Sequence, residues 1–195
     1  MDIAEFLRSI DPFDLLVVLV LAALFILGFI QGTIRRVLGI LSIVFSFFLA
    51  ANMREPMGDF LAPNWTQFPP EYSQMVGFAT VFVAACVAFS ITIQAFYKKV
   101  PLFEKYTVVD ELLGGTLGVV QGVLLLGAMV VILDSFFVIP GIAQQSTELP
   151  LLREMFNAYN GSMTAGLFRD NLIPTFFAIT SPLIPGDLRG YFPGS

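Results

Sequence analysis

The chain has 195 residues; 56% are Ala, Val, Ile, Leu, Met, Phe, Trp, Tyr or Cys, only 13% are charged, and the formal net charge is -5. The charged share is about half of the usual 25%, and the mean hydropathy is +0.82. This excludes a disordered chain, which needs low hydrophobicity and high charge. It also argues against a water-soluble globule, because so short a chain cannot hide so much apolar surface. The expected class is an all-α, polytopic membrane protein.

Residues 1–12 read as an interfacial segment, with Ile3, Phe6, Leu7 and Ile10 at the i, i+3, i+4, i+7 spacing of an amphipathic helix lying on a membrane. They are not read as a signal peptide, since Asp2, Glu5, Asp11 and Asp14 oppose a single Arg8. Four apolar runs follow: Phe13–Ile30, Thr33–Ala51, Met75–Tyr97 and Leu112–Leu133. Each is close to the ~20 residues that a membrane helix needs, and none alternates with period two, so all four are expected to be helices. The polar turn around Gln31–Arg36 predicts a tight antiparallel hairpin of spans one and two. The connection Asn52–Gln74, with Pro56, Pro63, Pro69 and Pro70, predicts an irregular headgroup-level segment anchored by Trp65 and Tyr72. Residues 13–139 are thus a four-helix transmembrane domain and 140–195 an amphipathic tail. In the tail, Pro150 suits a first helical turn ahead of a stripe of Leu151, Leu152, Met155, Phe156 and Tyr159. Leu172–Ile184 is too short to span and carries Pro174 and Pro182, which points to an interfacial or re-entrant segment. Packing of the tail on the bundle remains an open alternative.

Orientation follows from lysine and arginine in short loops. Arg35, Arg36, Lys98, Lys99 and Lys105 lie on one side, against Arg8 and Arg54 on the other. The richer side is expected to face the cytoplasm, with both termini on the opposite side.

An ionisable residue at bilayer depth is a functional candidate. Asp14 opens span one and Asp134 follows span four. Together they suggest two carboxylates near one mouth of the bundle, able to bind a cation or carry protons. The alternatives are helix capping for Asp14, behind Asp11 and Pro12, and interfacial solvation for Asp134. On the other face, Asp110 or Glu111 is placed to pair with Arg35 or Arg36. Gly114, Gly118 and Gly122 form a small-xxx-small face; Ser42, Ser46 and Ala50 offer the same spacing in span two, and Thr80, Ala84, Ala88 and Thr92 in span three. Gly28 and Gly32 share it too, but Gly32 falls in the turn. Packing within one subunit is favoured over a dimer interface. The chain has no His and a single Cys86. Imidazole and Cys–His catalysis, intrachain disulfides and Cys-based zinc sites are therefore excluded. No catalytic residue, cofactor or metal is expected, and the scattered basic residues suggest no nucleic-acid partner.

Asp14 at the start of span one, the turn Gly32-Thr33-Ile34-Arg35, and the run from Asp110-Glu111-Leu112-Leu113-Gly114-Gly115-Thr116-Leu117-Gly118 to Gly122 resemble, in order and spacing, the colicin V production protein (CvpA) family. The resemblance covers about residues 11–140. It implies a multi-pass bacterial inner-membrane protein linked to toxin production through export or envelope state. It carries over no catalytic residue, metal or cofactor; Asp14, Gly32, Arg35, Asp110, Gly114, Gly118 and Gly122 stand at its motif positions as structural or interaction residues. The family often has Arg in place of Gln31, Gln121 and Glu111, and an acidic residue in place of Arg36. The expected role is a non-enzymatic scaffold or accessory factor in toxin production, secretion or envelope maintenance. Its partners would be the lipid bilayer and either further copies or other membrane proteins. The alternative is a small oligomeric channel or transporter subunit. Reporter fusions after Lys105 and at Ser195 test the layout: Lys105 should report cytoplasmic and Ser195 non-cytoplasmic, and a cytoplasmic reading at Ser195 would defeat an even number of spans.

Overall fold

The structure, a computed structural model, describes residues 11–64, 70–97, 107–137 and 150–180. The described residues contain helices and no strand. Four helices are long and apolar enough to cross a membrane: α1 (Pro12–Gln31), α2 (Thr33–Leu61), α3 (Pro70–Phe96) and α4 (Thr107–Phe137). In lipid every backbone N–H and C=O must be paired within the chain, which these helices achieve along their lengths. Three short helices make the tail: α5 (Pro150–Asn160), α6 (Met163–Leu167) and, after a π-helical turn at Phe168–Leu172, α7 (Ile173–Thr180).

α1 begins at Asp11, whose carboxylate accepts from the Phe13 N–H at 2.8 Å, with Pro12 in the first helical position. It ends at Gly32, which alone separates α1 from α2. Gly32 has φ 81° and ψ 170°, and its N–H donates to the Gly28 carbonyl at 2.9 Å. That backbone conformation is essentially open to glycine alone.

α1 and α2 run in opposite directions, but they do not pack as the tight hairpin expected from the short turn. α1 lies instead antiparallel along α4, and α2 lies antiparallel along α3. α2 and α4 run parallel and join the two pairs. The reason is the placement of small residues. Gly114 fits against Gly28 and Gly32 so closely that a Cβ on it would lie 2.5 Å from the Gly28 oxygen and 3.0 Å from the Gly32 Cα. A Cβ on Gly118 would meet the Leu24 backbone, and one on Gly122 the Leu21 and Leu24 side chains. The Gly28–Gly32 spacing therefore builds a contact, although the second glycine sits in the turn. Between α2 and α3, Gly58 and Gly77 bring two backbones together, a Cβ on Gly77 falling 3.0 Å from the Gly58 nitrogen.

On α3, Ser73, Gly77 and Ala85 are buried. The stripe of Thr80, Ala84, Ala88 and Thr92 is exposed, so the small-residue face of this helix is not the one that its spacing suggested. α3 is apolar on every side, and periodicity does not choose between its faces. On α2, Ser46 and Ala50 are fully buried, and Ala50 belongs to a core with Ile43, Phe47, Phe82, Ala128 and Val131.

α2 continues ten residues past the expected end at Ala51, through Pro56 to Leu61, and a 3-10 turn follows at Ala62–Asn64. Most of the expected irregular connection is thus helical. One proline removes one backbone bond, and the adjoining Gly58–Gly77 contact secures the helix around it. Its 29 residues give about 44 Å, beyond the ~30 Å of a hydrocarbon core, so the polar end with Arg54, Glu55 and Asp59 projects from it. The N-terminal stripe Ile3–Ile10 and Trp65 lie outside the described residues.

The tail folds onto the bundle. Phe156, Tyr159, Ala165 and Phe168 join Val130 and Leu133 of α4 in one core cluster. Phe168 lies over Gly127, and Phe176 of α7 meets Phe47 edge-on at 5.4 Å. The segment read as interfacial or re-entrant is thus packed against α2 and α4 as far as it is described. α1 keeps the barest outward face: Leu16, Val18, Leu19, Ile26 and Ile30 are each more than half exposed. In a bilayer such a face meets acyl chains or another protein.

The packing makes a direct prediction. Gly118→Leu should destabilise the detergent-solubilised protein by at least about 1–3 kcal/mol, the usual cost of overpacking, in thermal melts followed by circular dichroism. Gly166→Ala, where nothing lies within 4 Å, should not lower the midpoint. Parent-like melting of Gly118→Leu would mean that the glycine seam faces lipid.

Candidate functional site

Polar side chains gather at two places in the bundle. The first is the end where α1 starts and α4 finishes. Asp134 stands in the closing turns of α4, where the helix dipole disfavours a carboxylate, and Arg169 on the π-helical turn compensates for it. Arg169 Nε donates to Asp134 Oδ2 at 2.9 Å and Nη2 donates to Oδ1 at 2.7 Å, a two-pronged ion pair. The Tyr159 hydroxyl, in a fully buried side chain, also donates to Asp134 Oδ1. Arg169 Nη1 reaches Asn160 Oδ1 at 2.8 Å, and the guanidinium lies 5.2 Å from the Tyr159 ring centroid. Asp134 is therefore no interfacially solvated group.

Asp14 accepts from the backbone N–H groups of Met163 at 3.0 Å and Thr164 at 2.9 Å, the first residues of α6. It holds the N-terminus of a helix some 150 residues away in sequence, while the capping of α1 falls to Asp11. Phe13 packs against the Tyr159 ring at 5.8 Å, and Ser162 caps α6 from within the tail through its Oγ and the Ala165 N–H. The two carboxylates expected at one mouth are both found at that end, and each is engaged by the tail. Sequence spacing did not single out Tyr159 as a hydrogen-bonding residue or Arg169 at all. The signal available was a carboxylate at the unfavourable pole of a helix, which calls for a cation without saying which one.

The second place is a cleft of about 340 Å³ near the α1–α2 turn. Gln31 of α1, Arg35, Arg36 and Ser42 of α2, Ser90 and Gln94 of α3, and Gln121 of α4 supply its polar lining. Arg36 is only 5% exposed, and its Nη1 donates to Gln121 Oε1 at 2.7 Å. Gly39 makes the room: a Cβ there would lie 2.9 Å from the Gln121 amide nitrogen. The expected pairing of Arg35 or Arg36 with Asp110 or Glu111 does not form, since Arg36 turns to Gln121. Asp110 is nonetheless tied to α2, through its backbone carbonyl, which accepts from the Thr33 hydroxyl at 2.8 Å. The structure thus places Arg36 and Gln121, two of the positions that depart from the resembled family's usual charges, in direct contact. A further, mostly apolar cavity of about 220 Å³ lies between α2, α4 and the tail, with Phe47, Ala128 and Phe176 among its lining.

No group of three or more potential metal ligands occurs among the described residues. A family model described as colicin V production protein matches residues 13–163. The chain belongs to that family. The match covers all four spans, α5 and the cap of α6, and stops short of Arg169. Comparison with curated proteins and with solved structures returned no match.

In this member of the colicin V production family, burial pushes the Tyr159 hydroxyl pKa up, and the neighbouring Asp134 carboxylate adds to the shift. The same carboxylate holds the Arg169 guanidinium charged beyond its ordinary range. The folded state thus keeps the phenolic proton more tightly than the unfolded chain does. Its contribution is complete below the usual tyrosine pKa near 10 and is lost as pH rises beyond it. Thermal melts should therefore show a midpoint that falls above about pH 10 in the parent and is flatter there in Tyr159→Phe. Asp134→Asn should lower the midpoint at neutral pH, with a loss of about 1–3 kcal/mol, and should speed tryptic cleavage after Arg169.

Proposed function

We propose that this protein is a non-enzymatic scaffold or accessory factor of the inner membrane, serving toxin production, secretion or envelope maintenance through helix-to-helix contacts with further copies or other membrane proteins. One observation carries this reading: the carboxylates at the mouth of the bundle are used to hold helices. Asp14 binds the start of α6 and Asp134 binds Arg169, so neither is left facing a path. The glycine faces are likewise consumed inside the subunit, and the broad outward apolar face of α1 is left for neighbours in the membrane. Membership of the colicin V production family supports the link to toxin production. With the basic α1–α2 turn in the cytoplasm, the tail and its ion pair stand on the far side of the membrane.

A channel or transporter subunit is the second reading, favoured by the polar cleft between the four helices. Photo-crosslinking in native membranes separates the two. A benzophenone side chain at Leu19 or Ile91, both more than half exposed, should give adducts of discrete mass, and vesicles of the purified protein should show no flux of ions or small solutes. Flux from such vesicles, with no discrete adduct at either position, would overturn the scaffold reading in favour of the second.

A further inference from the structure

Arg36 is a buried cation in a place where charge is expensive. Its side chain is 5% exposed, and its Nε is buried without a hydrogen-bond partner. Among the described residues neither Arg36 nor Arg35 has an ion-pair partner. Both line the cleft at the α1–α2 turn, and the lining contains no acidic side chain. A guanidinium withdrawn from water is ordinarily paired, and at membrane depth the requirement is stronger. Gln121 satisfies one corner through Nη1, but an amide brings no charge. The same bond fixes the orientation of the guanidinium plane and leaves the opposite, Nε-bearing edge to another acceptor. That edge can grip two oxygens of a phosphate at once.

We propose that the cleft is a binding site for a phosphate-class anion, with Arg36 as its main ligand and Arg35 as a second positive charge. Gln31, Ser90 and Gln94 supply neutral donors at the rim. Leu27, Ile43, Ile93 and Leu125 give the cleft an apolar side as well, so a phospholipid headgroup with its first acyl carbons and a free phosphate share the chemistry that it recognises. The volume of about 340 Å³ is far above what a single water needs. The inference concerns what occupies the cleft, and it stands apart from the scaffold reading, which crosslinking tests separately.

The test uses the purified, delipidated full chain. Native mass spectrometry with dioleoyl phosphatidylglycerol and with dioleoylglycerol compares the same chains with and without the phosphate. Equilibrium dialysis with inorganic phosphate measures the free anion. The parent should retain phosphatidylglycerol at least tenfold better than dioleoylglycerol if the source is lipid, or bind inorganic phosphate alone if it is not. Arg36→Gln, which removes the charge, should abolish that preference, and Arg36→Lys, which keeps charge but loses the fork, should fall between. Gly77→Ala, which crowds the α2–α3 contact at the end away from the cleft lining, controls for loosened packing, and each variant is first required to match the helicity of the parent. Binding of neither probe, or phosphatidylglycerol binding unchanged in Arg36→Gln, would overturn the proposal.

Discussion

Lipid tails are as apolar as leucine, so no hydrophobic force drives helices together inside a bilayer. What holds this bundle is closeness of backbone to backbone. Gly28 against Gly114, Gly118 against Leu24, and Gly58 against Gly77 are the points at which that closeness is reached. They sort four spans into two pairs, α1 with α4 and α2 with α3. The parallel contact of α2 with α4 then joins the pairs, through the Phe47–Ala128–Val131 core and the Thr33 hydroxyl on the Asp110 carbonyl. Where the pairs part near the α1–α2 turn, the polar cleft opens. Gly32 sets the geometry of that end, because its positive φ allows one helix to follow another without an intervening loop.

The membrane class and the positions of the four spans could be read directly from the sequence, because a long apolar run means one thing in a chain with so few charges. The glycine ladder of α4 was equally legible, since three glycines at one spacing leave a single flat face. Other features were hidden for physical reasons. The polar run after Ala51 with Pro56 resembles a loop, yet a proline removes only one bond and the Gly58–Gly77 approach outweighs it. On α3 a Thr/Ala stripe and a Ser/Gly/Ala stripe compete on a helix with no polar side, and only the neighbour's shape chooses between them. The partners of Asp14 and Asp134 lie 150 and 35 residues away, beyond the reach of any local pattern. Arg36 and Gln121 are separated by 85.

The two ends of the bundle handle charge differently. At the start of α1 and the end of α4, Asp14 and Asp134 meet donors supplied by the same chain, beside a cluster of the Phe13, Phe156 and Tyr159 rings. At the turn end, two arginines line one cleft, and the shown partner of the Arg36 guanidinium is the Gln121 amide. The first arrangement is closed and serves rigidity. The second leaves the Arg36 Nε without a partner among the described residues, and it lies between all four helices, where the proposed anion would touch each of them.

The tail has a consequence for the order in which the molecule is completed. Of the four spans described, Asp14 belongs to the one made earliest and Asp134 to the one made last, yet donors at Met163, Thr164 and Arg169 that engage them leave the ribosome after both. Until those residues arrive, the nascent bundle carries Asp14 without its backbone donors and Asp134 without its cation at one rim. Docking of the tail is therefore a latch that closes only once all four spans have been made, and a chain interrupted before residue 163 would lack both the N–H groups that hold Asp14 and the cation that pairs with Asp134.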